Sequence, residues 1–260
     1  MTRANASAFS RERKLILALL LILAAASWTL LIWQSTAMNS QAMGMGMGLT
    51  IGMSAVLFIA IWVVMMIAMM FPTAAPMILM FTSVYAGKKR QKQAFVPTWV
   101  FVSAYLLIWT LFGLVAYPLA LLAERLGGQS MWLMNNAPRI GGVLLVVAGL
   151  YQLSPLKHIC LSKCRTPLQF ILGSWRDGYG GAFRMGFVHG AYCLGCCWFL
   201  FVLLFPLGIM NIAVMALLTA LIYAEKSFPL GRQISQIAGV ALIVYGVLVI
   251  FVPAALPAVM

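Results

Sequence analysis

The run "AVLFIAIWVVMMIAMMFPTAAPMILMFTSVYAGKKR", Ala55–Arg90, carries no charge before Lys88. Together with Ile51–Ser54 it makes residues 51–86 almost continuously apolar. As a single helix that stretch would be about 54 Å long at about 1.5 Å per residue. The hydrocarbon it would cross is about 30 Å thick. Two crossings would put Lys88, Lys89, Arg90 and Lys92 on the outer side. Pro72 and Pro76 suggest a resolution, because each removes a backbone donor and kinks or breaks a helix. The expectation is one full span, then a short segment that bends along the inner face or partly re-enters it. Such a break needs protein or water around it.

The rest of the chain has the same character. Of 260 residues, 64% are hydrophobic and 8% charged, where a globular domain has about 25% charged. Apolar runs at about 15–33, 51–72, 96–122, 134–153, 183–205, 208–224 and 237–257 fit seven spans of roughly 20 residues. They leave no room for a separate soluble domain, so residues 1–260 are one integral membrane domain. The fifth and sixth runs are separated only by "FPLG", Phe205–Gly208, a tight turn. The fold class expected is all-α, a polytopic transmembrane helix bundle.

Seventeen bases face four acids, a net charge of +13. In a soluble protein that balance would suggest nucleic acid; here the position of the bases carries the information. Seven spans with the N-terminus inside put Arg3, Arg11, Arg13, Lys14, the Lys88–Lys92 cluster, Lys157, Lys163, Arg165, Arg176, Arg184, Lys226 and Arg232 on the cytoplasmic side. Only Arg125 and Arg139 fall outside. The topology expected is therefore N-in and C-out, with no nucleic-acid partner. The run Leu15–Trp33 is long for a signal-peptide core, so an uncleaved first span is expected. Glu225, ending the sixth span, is expected at the interface. Arg176 and Asp177 are expected to pair or to cap the fifth.

Within the fifth span lies "HGAYCLGCCW", His189–Trp198, with one of two histidines and three of five cysteines. At about 100° per residue, Cys193, Cys196 and Cys197 fall within about 80° of His189 on one helix face. Gly186 and Gly190 share that face as a small-xxx-small pair that admits a close neighbour, so the face is buried. His189 and Cys197 are about 12 Å apart along the axis, too far for one ion with bonds of about 2.0–2.3 Å. Two arrangements remain open. His189 and Cys193 form an i,i+4 chelate, or the cysteines form the site with His189 beside it. Gly195 would ease the unwinding that gathers the three thiols. The cysteine-centred site is preferred over simple packing of small apolar thiols.

A second group, "KHICLSKC", places His158, Cys160 and Cys164 in the cytoplasmic segment before that span. The position favours reduced thiols. Methionines form two more groups. "MGMGMG" carries Met43, Met45 and Met47 outside the membrane, on a backbone too flexible to build a core. Thioethers there suit copper(I). Met66 and Met70, i,i+4 on the second span, are candidate soft ligands from another helix. No Ser/His/Asp set, P-loop, GxGxxG or bis-His haem pattern is present, and nothing defines an enzymatic reaction.

The pieces "MMIAMMFPTAAPMILMF", "YQLSPLKHICLSKCRTPLQF", "WRDGYGGAFRMGFVHGAYCLGCCW" and "YAEK", in this order over roughly residues 60 to 226, resemble a bacterial membrane family catalogued as domain of unknown function 2182. Its members are described as predicted metal-binding integral membrane proteins. The expectation is a multi-pass protein of the bacterial inner membrane that binds a soft transition metal, copper(I) before zinc or another divalent ion. It would transport the ion, or deliver it to or from a partner protein. The alternatives are a thiol–disulfide redox protein and a non-catalytic assembly subunit.

Overall fold

The structure, a computed structural model, describes residues 3–41, 52–88 and 95–255. The described residues are helical, with no strand. The long helices are α1 (Arg3–Gln41), α2 (Ala55–Lys88), α3 (Phe95–Gln129), α4 (Met131–Leu153), α7 (Gly178–Val202) and α10 (Gly231–Phe251). Shorter ones are α5 (Pro155–Arg165), α6 (Pro167–Ser174), α8 (Leu204–Leu207) and α9 (Ile212–Ser227). Met43, Met45 and Met47 lie outside the described residues.

Six helices are long and apolar enough to cross a membrane: Arg11–Thr36, Ala55–Gly87, Pro97–Gln129, Met131–Leu153, Gly178–Leu207 and Gly231–Phe251. The chain is a multi-pass membrane protein. Ile22, Leu119, Val244 and Phe251 are each 60% exposed or more, an outward apolar surface that suits lipid and not water. The seventh run expected, 208–224, corresponds to α9. Its 16 residues make about 24 Å, short of the roughly 30 Å hydrocarbon core. The turn expected at "FPLG" falls later: Phe205, Pro206 and Leu207 are helical in α8, and the chain turns from Gly208, which takes φ 95°, a conformation open to glycine.

The break expected at Pro72 and Pro76 does not occur. α2 runs unbroken through both prolines. Pro72 has no N–H to give the carbonyl four residues earlier, Ala68. Trp28 of α1 supplies the missing donor, its Nε1–H reaching Ala68 O at 3.1 Å. A neighbouring helix thus satisfies the acceptor that would otherwise force the backbone apart. Indole and phenol donors tie other helices together in the same way. Trp62 Nε1 donates to Trp109 O at 2.9 Å, and Tyr117 Oη to Met53 O at 3.1 Å.

These pairs also give helix directions. Trp62 meets Trp109 while Thr82 meets Thr98 at 3.2 Å, so α2 and α3 are antiparallel. Gly186 lies on Phe101, and Gly190 on Tyr105 and Ile108, so α3 and α7 run parallel. Gly142 faces Gly246 and Gly149 faces Gly239, so α4 and α10 are antiparallel. The glycine pair on α7 does what its spacing suggested. A Cβ at Gly186 would sit 2.2 Å from Phe101 O, and one at Gly190 3.0 Å from Ile108 Cγ1.

Two polar expectations are corrected. Glu225 does not face outward. It is 1% exposed and paired with the fully buried Lys157, Nζ to Oε2 at 2.8 Å. Gln152 Nε2 donates to its other oxygen at 3.0 Å. Burying both charges removes each from water, a cost that mutual attraction and the added hydrogen bond offset only while both partners remain. Asp177 is the residue preceding α7, but its carboxylate accepts from Trp175 Nε1 at 3.1 Å, and its side chain makes no cap bond to the helix.

Candidate metal centre

The centre is built on α7. Cys193, Cys196 and Cys197 are all 0–1% exposed. The helix is continuous through Gly195, so the unwinding considered at that residue is absent. The thiols meet through adjacent turns instead. Cys196 Sγ lies 3.2 Å from Cys197 Sγ and donates to Cys193 O at 3.2 Å.

The fourth thiol comes from α5. Ser154 starts that helix, its hydroxyl accepting from Lys157 N at 3.2 Å, with Pro155 in the first turn where no N–H is needed. Arg165 fastens its other end, with Nη2 donating to Phe228 O at 2.8 Å and Pro229 O at 2.7 Å. So held, Cys160 packs its sulfur over Gly195, 2.9 Å from where a Cβ would stand. Tyr151, from the end of α4, donates its hydroxyl to Gly195 O beneath it. Cys164, one turn further, reaches the intramembrane thiols. Hydrogen bonding to Cys193 pushes the Cys164 thiol well above its ordinary range, and burial adds to the rise. Burial also pushes Cys160 up. Both are half-buried, so they stand between the sealed cysteines and the protein's exterior.

Three further side chains close on Cys193. Tyr105 Oη from α3 is 3.1 Å from its sulfur. Lys226 Nζ, from the last turn of α9, is also 3.1 Å away and lies 3.5 Å from Thr73 Oγ1 of α2. Thr73 in turn donates to Met70 O at 3.0 Å and approaches Met70 Sδ at 3.5 Å. α2, α3, α5, α7 and α9 therefore all contribute to one cluster. Among the described residues no three His, Cys, Asp or Glu side chains are spaced to hold a metal ion as they stand. The sulfurs are closed onto one another, onto the ammonium and onto the phenol.

Not every expected residue joins. His189 is 3% exposed and lies among Phe101, Tyr105 and Phe170, with ring centroids at 5.9, 5.5 and 5.7 Å. Its Nδ1 has no hydrogen-bond partner. It touches the cluster through the ring of Tyr105. Met70 is linked through Thr73, whereas Met66 is fully buried in the surrounding core. His158 separates from Cys160 and Cys164. Two residues from Cys160, it turns about 200° around α5 and lines an open groove with Ile159, Ser162, Arg232 and Gln236. Burial, with Arg232 and Lys157 adding to it, pulls its imidazole below the ordinary range.

Sequence reasoning missed Tyr105, Thr73 and Lys226 as members of the cluster. Lys226 carries a signal, a lysine closing an apolar helix within "YAEK", but by charge position alone it marks only sidedness. Tyr105 and Thr73 had none, because their meeting with Cys193 depends on helix packing.

The bundle is a multi-pass membrane protein that gathers three buried and two half-buried thiols, side chains of the type that soft metals prefer. The chain belongs to the PpoB2 family, described as copper chaperone, whose model matches residues 59–249, well over half of the chain. The match supports a copper-related family and not the designation suggested by the motifs, although it encloses all four of them. No curated protein and no solved structure matches the chain.

Proposed function

We propose that this protein holds copper(I) inside the membrane through Cys193, Cys196 and Cys197, with Cys164 as the exchanging thiol, and passes the ion to or from a partner protein. The observation that carries this reading is the meeting of the buried α7 thiols with the half-buried Cys164 in a chain of a copper chaperone family. Thiolates favour copper(I) over harder ions. Metal–sulfur bonds of about 2.3 Å set sulfurs roughly 4 Å apart around a three-coordinate ion. Loading then spreads the 3.2 Å Cys196–Cys197 contact by under about 1 Å, within the reach of side-chain rotation.

Cys164 gives the route. An ion captured at half-buried Cys160 and Cys164, whose protons leave to solvent as it binds, transfers by ligand exchange in which each incoming thiol passes its proton to the thiolate it displaces, so no bare ion crosses hydrocarbon. The basic residues around α5 support a cytoplasmic position for it, and the setting that goes with this reading is the bacterial inner membrane with the N-terminus inside. Met43, Met45 and Met47 would serve exchange on the opposite face, and Met70 is the thioether linked to the cluster through Thr73. The family match does not favour the redox or assembly-subunit readings. The test is elemental analysis of the purified protein beside Cys193→Ser/Cys196→Ser/Cys197→Ser. Copper in the wild type and its loss from the variant support the reading. Equal copper in both overturns it.

A further inference from the structure

The cluster contains a lysine side chain where a metal site would be expected to have no cationic group. Lys226 Nζ touches Cys193 Sγ at 3.1 Å. The adjacent carboxylate does not neutralise it, because Glu225 is occupied by Lys157 and Gln152. An ion held by Cys193 and its neighbours lies a few ångströms from the ammonium, which is itself half-buried.

We infer that Lys226 is the specificity-determining residue of the site, a charge filter that admits monovalent soft ions and rejects divalent ones. The inference rests on the proposed copper site and adds to it the basis of ion choice. Coulomb repulsion scales with the charge of the incoming ion. Lys226 therefore opposes zinc(II) or copper(II) twice as strongly as copper(I) or silver(I). Thiolate ligands alone do not supply this discrimination, since they bind zinc well. Thr73 completes the device. Its hydroxyl, 3.5 Å from Nζ, takes over the ammonium when the Cys193 sulfur turns to a metal. The lysine stays beside the ion as a fixed charge.

The test uses the full-length protein in detergent under anaerobic conditions. Copper(I), silver(I) and zinc(II) affinities are measured by competition with chromophoric chelators for wild type, Lys226→Met and Lys226→Arg. One extra unit charge a few ångströms away, at an effective dielectric constant of about 20, sets the scale. Lys226→Met is expected to move the zinc-to-copper(I) affinity ratio toward zinc by on the order of 100-fold. Lys226→Arg, which keeps the charge, is expected to retain the wild-type ratio. If Lys226→Met does not fold, Thr73→Asp, which sets a carboxylate beside the ammonium, is expected to shift the ratio in the same direction. A folded Lys226→Met or Thr73→Asp protein that binds copper(I) with a ratio within about threefold of wild type overturns the filter and leaves the copper site standing. A wild type that binds neither copper(I) nor silver(I) overturns the site itself.

Discussion

Gly186→Ala probes how closely the centre depends on helix packing. The added Cβ would sit 2.2 Å from Phe101 O and 2.9 Å from its Cα and carbonyl carbon, where ordinary contact begins near 3.4 Å. All three atoms are backbone, so no side chain can swing aside. α3 must retreat from α7 by about 1.2 Å at that point. Overpacking of this kind costs about 1–3 kcal/mol, while alanine in place of glycine returns up to about 1 kcal/mol of helix propensity. The net loss is about 0–2 kcal/mol against wild type and about 1–3 kcal/mol against a Gly→Ala control that gains the same propensity, or roughly 2–12 °C in melting temperature at about 2–4 °C per kcal/mol. Tyr105 lies one turn beyond Phe101, so its 3.1 Å contact with Cys193 lengthens too, and copper(I) affinity falls. Gly180→Ala on the same helix is the control, since nothing lies within 4 Å of its Cβ. Thermal unfolding in detergent compares the two. A Gly186→Ala protein that melts with Gly180→Ala, with unchanged copper affinity, would refute the reasoning.

Trp28→Phe leaves Ala68 O without the donor that substitutes for Pro72, so stability drops by about 1–3 kcal/mol; thermal unfolding reads it, and an unchanged melt would show the bond carries nothing. Lys157→Met strands the buried Glu225 carboxylate and costs about 3–5 kcal/mol, whereas Lys157→Met/Glu225→Leu recovers most of it; a double variant no better than the single contradicts the pairing. Maleimide labelling of the apo protein modifies Cys160 and Cys164 ahead of the sealed α7 cysteines. Because Cys164 is held well above its ordinary value of 9.0, its labelling rate keeps climbing about tenfold per pH unit beyond pH 9, where a free thiol levels off. Bound copper(I) suppresses that labelling, and labelling indifferent to copper would remove Cys164 from the exchange route.

The helical membrane architecture was legible because hydropathy and length alone decide it. The α7 face was legible because 100° per residue places His189, Gly186, Gly190 and the three cysteines together without tertiary information. Pro72 misled because the remedy for its missing N–H comes from Trp28, 44 residues earlier in the sequence. Glu225 misled for a related reason. A charge ending an apolar helix reads as interfacial until Lys157 is seen beneath it. His158 was grouped with Cys160 and Cys164 by proximity in sequence, although its position on α5 sends it to the opposite face. Lys226 could be noticed but not understood, since its meaning lies in the atoms 3.1 and 3.5 Å from its nitrogen.

The most direct measurement is X-ray absorption at the copper edge of the loaded, purified protein. Copper held by the α7 thiols gives a reduced, copper(I) edge with two or three sulfur neighbours at about the usual metal–sulfur distance, and that shell is lost in Cys193→Ser/Cys196→Ser/Cys197→Ser. A first shell of nitrogen and oxygen, or a sulfur shell that persists in the triple variant, would contradict it.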